Sequence, residues 1–159
     1  MRAIYPGTFD PITNGHLEII HRASNLFPEL IIAVTTNSSK KPYFSLDERV
    51  NLIQESLKDC SNVSVIHFQG LLVHCATEHQ ARVIIRGIRF NDFEYEFQLA
   101  GINRRLNPQI ETVFLTPTDE VALISSTLVR EIATLGGDIA AFVPSVVLEA
   151  FKSKKQQET

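Results

Sequence analysis

Hydrophobic residues fall along this chain in two alternating rhythms. Short apolar runs at residues 3–5, 30–35, 63–68, 83–85 and 112–115 predict five strands. Between them, apolar residues recur at the three- and four-residue intervals of one helical face. Leu17, Ile19, Ile20, Ala23, Leu26 and Phe27 predict a first helix, Val50, Leu52, Ile53 and Leu57 a second, and residues 71–79 a short third. Phe93, Phe97, Leu99, Ala100 and Ile102 predict a fourth with Asp92 near its start, and Leu128, Val129, Ile132 and Leu135 a fifth. A last helix begins near Pro144.

The boundaries carry their own chemistry. Asn14 is the expected cap of the first helix, and Ser45 and Glu48, three apart, form a capping box for the second. Ser125 or Ser126 caps the fifth, which Gly136 and Gly137 end. The run at 30–35 has no polar alternation and reads as a strand buried on both faces. Strands separated by helices throughout imply βαβ units, hence an α/β fold with a five-stranded, mostly parallel sheet and helices on both faces. Ligands of such sheets bind beyond the carboxyl ends of the strands.

Three polar clusters follow strands directly: G-T-F-D-P after the first, R-G-I-R at residues 86–89 after the fourth, and the loop into I-S-S-T after the fifth. Fold geometry brings such clusters to one rim. The longest motif is Y-P-G-T-F-D-P-I-T-N-G-H, residues 5–16, which bridges a strand and a helix. Gly7 and Gly15 let the backbone approach a ligand, Pro6 and Pro11 stiffen the turn, and Asp10 is expected to organise it. Free amides and the positive helix end favour an anion there.

Composition narrows the partners. A chain of 159 residues with 44% hydrophobic residues has the size of a single domain, 1–159, with a sizeable core. A formal charge of -3 argues against a broad nucleic-acid surface and leaves room for a local basic site. Two cysteines, Cys60 and Cys75, make no disulfide framework, so reduced thiols are expected. Neither a signal peptide nor a membrane-length apolar run is visible, and a cytoplasmic protein without membrane contact is expected. The polar tail from Lys152 onward is expected to fray.

These motifs resemble the bacterial phosphopantetheine adenylyltransferase family of the nucleotidyltransferase superfamily. The resemblance spans nearly the whole chain and rests on G-T-F-D-P-I-T-N-G-H at 7–16, S-K-K-P at 39–42, R-G-I-R at 86–89, D-F-E-Y-E at 92–96 and I-S-S-T-L-V-R-E at 124–131. It implies a Rossmann-like fold, usually assembled as a homohexamer, and transfer of AMP from ATP to 4'-phosphopantetheine with Mg2+, giving dephospho-coenzyme A and pyrophosphate. By the same resemblance, His16 faces the α-phosphate and stabilises the transition state. Thr8, Phe9, Gly87, Ile88, Arg89 and Glu96 contact ATP, as do Val121, Ala122, Leu123, Ile124, Ser125, Ser126 and Thr127. Thr8, Lys40, Leu72 and Arg86 hold 4'-phosphopantetheine. No protein ligand to the metal is implied beyond the ATP phosphates. Two departures stand out: the spacer Phe90-Asn91 is one residue shorter than the family pattern, and Val121 occupies an aromatic position.

Each motif also has a plainer reading. His16 fits an exposed polar residue of a first helical turn, Lys40 and Lys41 fit a solvated loop pair, and Arg86 and Arg89 fit ion pairs with Asp92 or Glu94. Cys75 and His79 share a helical face without the second pair a zinc site needs, while Phe93, Tyr95 and Phe97 read as core or subunit contacts. Competing functions are a related transferase acting on nicotinate mononucleotide, FMN or glycerol phosphate, and a flavodoxin-like binding module. A class I aminoacyl-tRNA synthetase would share the T-N-G-H idea, but the chain has no room for tRNA-binding domains. Neither G-x-G-x-x-G nor a Walker motif is present, so the anion-binding case rests on G-T-F-D-P and T-N-G-H.

Overall fold

The computed structural model describes residues 1–36 and 41–157. Five strands form one sheet: β1 (Arg2–Gly7), β2 (Glu29–Thr35), β3 (Val63–Phe68), β4 (Val83–Gly87) and β5 (Glu111–Leu115). All four pairings are parallel, in the order β3-β2-β1-β4-β5. The connecting helices are α1 (Asn14–Leu26), α2 (Leu46–Ser56), α3 (Leu72–Glu78) and α4 (Phe93–Leu106), and α5 (Ser126–Thr134) and α6 (Ser145–Gln157) follow β5. A 3-10 turn over Phe90–Asp92 leads into α4. The sequence-based elements are therefore all present.

Alternation along β1 sorts the core. Ala3 and Tyr5 point into a cluster with Ile20, Ile53, Val129 and Phe151 from α1, α2, α5 and α6, whereas Ile4 points into a second cluster with Val73 and Ala76 of α3. Helices thus cover both faces. Burial of β2 from Leu30 to Val34 agrees with its unbroken apolar run. The chain builds outward from β1 to β3, then crosses back to place β4 on the other side of β1. That reversal makes the carboxyl ends of β1 and β4 the switch point, where a crevice opens.

Two local expectations need correction, at the first helix and the tail, and one open reading, on α4, is narrowed because its aromatic residues are not core. The first helix is capped by Thr13, because its hydroxyl and amide both engage His16 at the third helical position; Asn14 instead donates its side chain to the Ala141 carbonyl. In α4 the apolar positions Phe93, Phe97 and Ile102 face outward together with Tyr95, and the helix buries Glu96 and Asn103. The cause is the Arg86 guanidinium, which holds Glu96 inward. The tail does not fray at Lys152: α6 continues to Gln157, and Lys154 pairs with Glu48 at 3.0 Å above the Tyr43 and Phe44 rings.

Candidate active site

At the switch point lies a cavity of about 290 Å3. Its floor is the end of β1 and the turn that follows. Phe9 has φ 49°, a left-handed conformation uncommon for a side-chain-bearing residue and informative when found at a site. This turns the ring edge-on to Tyr5, at 5.5 Å, and to His16, at 5.0 Å. Gly7 is required beneath it, since a Cβ there would meet the Phe9 ring at 3.0 Å.

His16 is set by the helix cap. Its Nδ1 accepts the Thr13 amide at 3.1 Å and lies 3.1 Å from the Thr13 hydroxyl, which itself accepts the His16 amide at 3.3 Å. A nitrogen that accepts an amide carries no proton, so the hydrogen-bond pattern assigns the neutral ring's proton to Nε2. Burial, reinforced by the Arg89 charge, pushes the imidazole down to about 4. His16 is therefore a neutral donor at pH 7.

Across the cavity, β4 delivers two arginines. Arg86 grips Glu96 with two parallel bonds, Nε to Oε2 at 2.7 Å and Nη2 to Oε1 at 2.5 Å, while Nη1 reaches the Pro6 carbonyl at 3.4 Å. Burial disfavours the Arg86 charge, but the Glu96 hydrogen bonds and charge outweigh it and raise its pKa. Arg89 is held by Asp92 at 2.9 Å and is more open to solvent. Burial also pushes the Tyr5 hydroxyl, beside Gly87, up to about 12 against the nearby Arg86 charge.

The third wall is the N-terminal turn of α5 and the loop before it. Ser125 caps the helix by accepting the Leu128 amide at 3.2 Å, and the Ser126 hydroxyl donates to the Pro11 carbonyl at 2.7 Å, latching α5 to the β1 turn. Thr127 lines both this cavity and a second of about 670 Å3, whose walls include Lys41, Arg130 and Lys154.

Phe9, His16, Arg86, Gly87, Arg89, Glu96, Val121, Ile124, Ser125, Ser126 and Thr127 thus converge on one cavity, as expected of the three polar clusters. Thr8, Ile88, Ala122, Leu123 and Leu72 do not line it. The Thr8 carbonyl accepts from Arg49, Ile88 is buried, Leu123 is exposed, and Leu72 packs against the α3 core cluster. Lys40 lies outside the described residues. Sequence reasoning gave no site role to Tyr5, Thr13, Ile19, Asp92 and Pro117, which also supply walls. The T-x-x-H spacing, a capping box with histidine in place of glutamate, was the signal that could have revealed Thr13. Asp10 organises more than its own turn, as described below. Among the described residues no group of three or more His, Cys, Asp or Glu side chains is placed to hold a metal.

Residues 4–132 match the family model described as cytidylyltransferase-like. Among curated proteins, the chain is 52% identical over 159 residues to a phosphopantetheine adenylyltransferase of Legionella pneumophila (strain Lens), covering 99% of this chain and 94% of that one. It is 54% identical over 153 residues to the enzyme of that name from Thioalkalivibrio sulfidiphilus, covering 96% of each. A solved Vibrio parahaemolyticus structure, described as a nicotinate-nucleotide adenylyltransferase, shares the fold with TM-score 0.67 at 19% identity, covering 92% of this chain and 88% of its own. Motifs, switch-point cavity and full-length similarity agree: the chain belongs to the phosphopantetheine adenylyltransferase family of cytidylyltransferase-like nucleotidyltransferases.

Proposed function

We infer that this cavity transfers the adenylyl group of ATP to 4'-phosphopantetheine, giving dephospho-coenzyme A and pyrophosphate, in coenzyme A biosynthesis. The observation that carries the reading is the neutral, Nε2-protonated His16 lining one small cavity with two arginines and the N-terminal turn of α5. A phosphate monoester acceptor has a second pKa of about 6, so it arrives largely dianionic and needs no general base. What the reaction needs is alignment of two polyanions and donors for charge that develops at the α-phosphate. His16 Nε2–H supplies such a donor without adding a cation. Arg89 and the amides of the first α5 turn neutralise the triphosphate, and Arg86, oriented by Glu96, positions the acceptor phosphate through its remaining N–H groups. Because both Glu96 oxygens engage Arg86, we assign Glu96 a positioning role more than a direct contact to ATP.

When bound, Mg2+ would be carried by the phosphates of ATP and would supply charge neutralisation to the leaving group. The cavity carboxylates fit that arrangement, since Asp92 and Glu96 are each engaged by an arginine. We read residues 1–159 as one nucleotidyltransferase domain acting in the cytoplasm, with Cys60 and Cys75 as free thiols. No helix among the described residues is long and apolar enough to cross a membrane. We propose assembly as a homohexamer; association of some kind would cover the exposed apolar residues on the two flanks of α4, Phe93 and Phe97 on one and Tyr95, Ile102 and Leu106 on the other.

The test is an acceptor panel. Pyrophosphate release is measured from Mg-ATP with 4'-phosphopantetheine, nicotinate mononucleotide or FMN, and from CTP with glycerol 3-phosphate. Release with 4'-phosphopantetheine alone is expected; release with another acceptor in its place would overturn the substrate assignment.

A further inference from the structure

Asp10 is an unusual residue for a turn beside an anion site, because it brings a negative charge and is only 4% exposed. Its carboxylate is not spent on its own turn. Oδ2 accepts the Tyr43 amide and Oδ1 the Phe44 amide, each at 2.8 Å, across more than thirty residues of chain. Arg130 of α5 approaches from the other side, with Nη1 3.8 Å from Oδ2 and donating at 2.5 Å to the Asp10 carbonyl, while Nη2 reaches the Thr127 hydroxyl at 3.3 Å.

A second arginine completes the arrangement. Arg49 of α2 is 3% exposed, and its Nη1 donates to the Thr8 carbonyl at 2.8 Å and to the Thr35 carbonyl at 3.1 Å, joining the ends of β1 and β2. Its Nε is buried with no hydrogen-bond partner among the described residues, and burial holds the Arg49 pKa below its ordinary value, a loss the Asp10 charge offsets only in part. Two cations from different helices thus act on one buried carboxylate, Arg130 at 3.8 Å and Arg49 through its charge. The Asp10 turn carries Phe9 and Thr13 on the floor of the first cavity, α5 forms a wall of both cavities, and residues 41–43 line the second.

We infer that Asp10 is a positioning residue whose carboxylate and carbonyl tie residues 41–44 and α5 to the turn beneath His16, fixing the spacing of the two sides of the site. This rests on the adenylyl-transfer reading. If the two sides carry the two substrates, loosening the tie misaligns them. A displacement of about 1 Å, made away from the reacting atoms, is enough to cost on the order of 100-fold in rate.

The test is Asp10→Asn, whose single oxygen accepts one amide and whose NH2 faces the other, assayed with Mg-ATP and 4'-phosphopantetheine well below its melting temperature. We expect kcat/KM to fall about 10- to 100-fold for both substrates. A purely structural role would lower the melting temperature and leave the kinetic constants of the folded enzyme within about twofold, which would overturn the inference. If Asp10→Asn does not fold, an amide-to-ester replacement at Phe44 removes one donor and leaves every side chain in place. A severalfold fall in kcat/KM is then expected, and unchanged constants would overturn the inference. Wild-type enzyme is run alongside. Its silence would overturn the adenylyl-transfer reading and this inference with it, whereas an active wild type beside an equally active variant overturns the inference alone.

Discussion

At the residue scale, the proposed chemistry turns on which nitrogen of the His16 ring stays available in the cavity. With Nδ1 committed to the Thr13 amide, only Nε2–H is left for substrate. Replacing His16 by alanine should lower turnover roughly 100- to 1,000-fold, the loss typical of one transition-state donor, and wild-type turnover in that variant would remove His16 from the mechanism. Because its pKa sits at about 4, below the ordinary 6.5, the neutral ring's contribution to stability is complete above about pH 6.5. It is lost as pH falls through 6.5 towards 4, where the unfolded chain takes up the proton first. Urea unfolding at pH 7 and pH 5 should therefore show a larger loss for wild type than for His16→Gln; equal losses would contradict the assignment. The residues that line the cavity were legible because G-T-F-D-P, R-G-I-R and I-S-S-T each follow a strand. Their partners were less so, since nothing in the spacing of Arg86 and Glu96, or of Asp10 and Phe44, announces that folding brings them together.

At the scale of elements, the two capping boxes offer a controlled comparison. Ser45 and Thr13 both cap helices against their third residue, but only Thr13 also holds a cavity side chain. Each alanine substitution should cost about 1 kcal/mol in chemical denaturation. Thr13→Ala should in addition lower kcat, and Ser45→Ala should leave it unchanged; parallel kinetics in the two would show that the cap does not orient His16. Strands and helices were readable from periodicity since most elements bury an apolar face. The orientation of helix α4 stayed open between core and subunit contacts because a charged pair, Arg86 with Glu96, and not the apolar stripe, decides which side turns inward. Similarly, the polar composition of the last residues hid how far the last helix runs, its end being fastened by Lys154 to Glu48 of α2.

At the scale of the whole molecule, strand order 3-2-1-4-5 explains why one cavity collects residues from Tyr5 to Thr127. The order of elements was visible in the sequence, but the crossover that puts β4 beside β1 was not, because parallel pairing leaves no local turn signal. The same view leaves α4 with stacked Phe93 and Phe97 rings, 6.0 Å apart, facing outward. Light scattering should give several times the 17.9 kDa chain mass, and Phe97→Glu should shift it downward; a monomeric wild type would leave that face without the proposed role. The most direct test of the whole account is mass-spectrometric detection of dephospho-coenzyme A from Mg-ATP and 4'-phosphopantetheine, in wild type and His16→Ala. The account predicts stoichiometric dephospho-coenzyme A and pyrophosphate from the wild type, and roughly 100- to 1,000-fold slower formation in the variant. A folded wild type that binds both substrates and forms no dephospho-coenzyme A would contradict it.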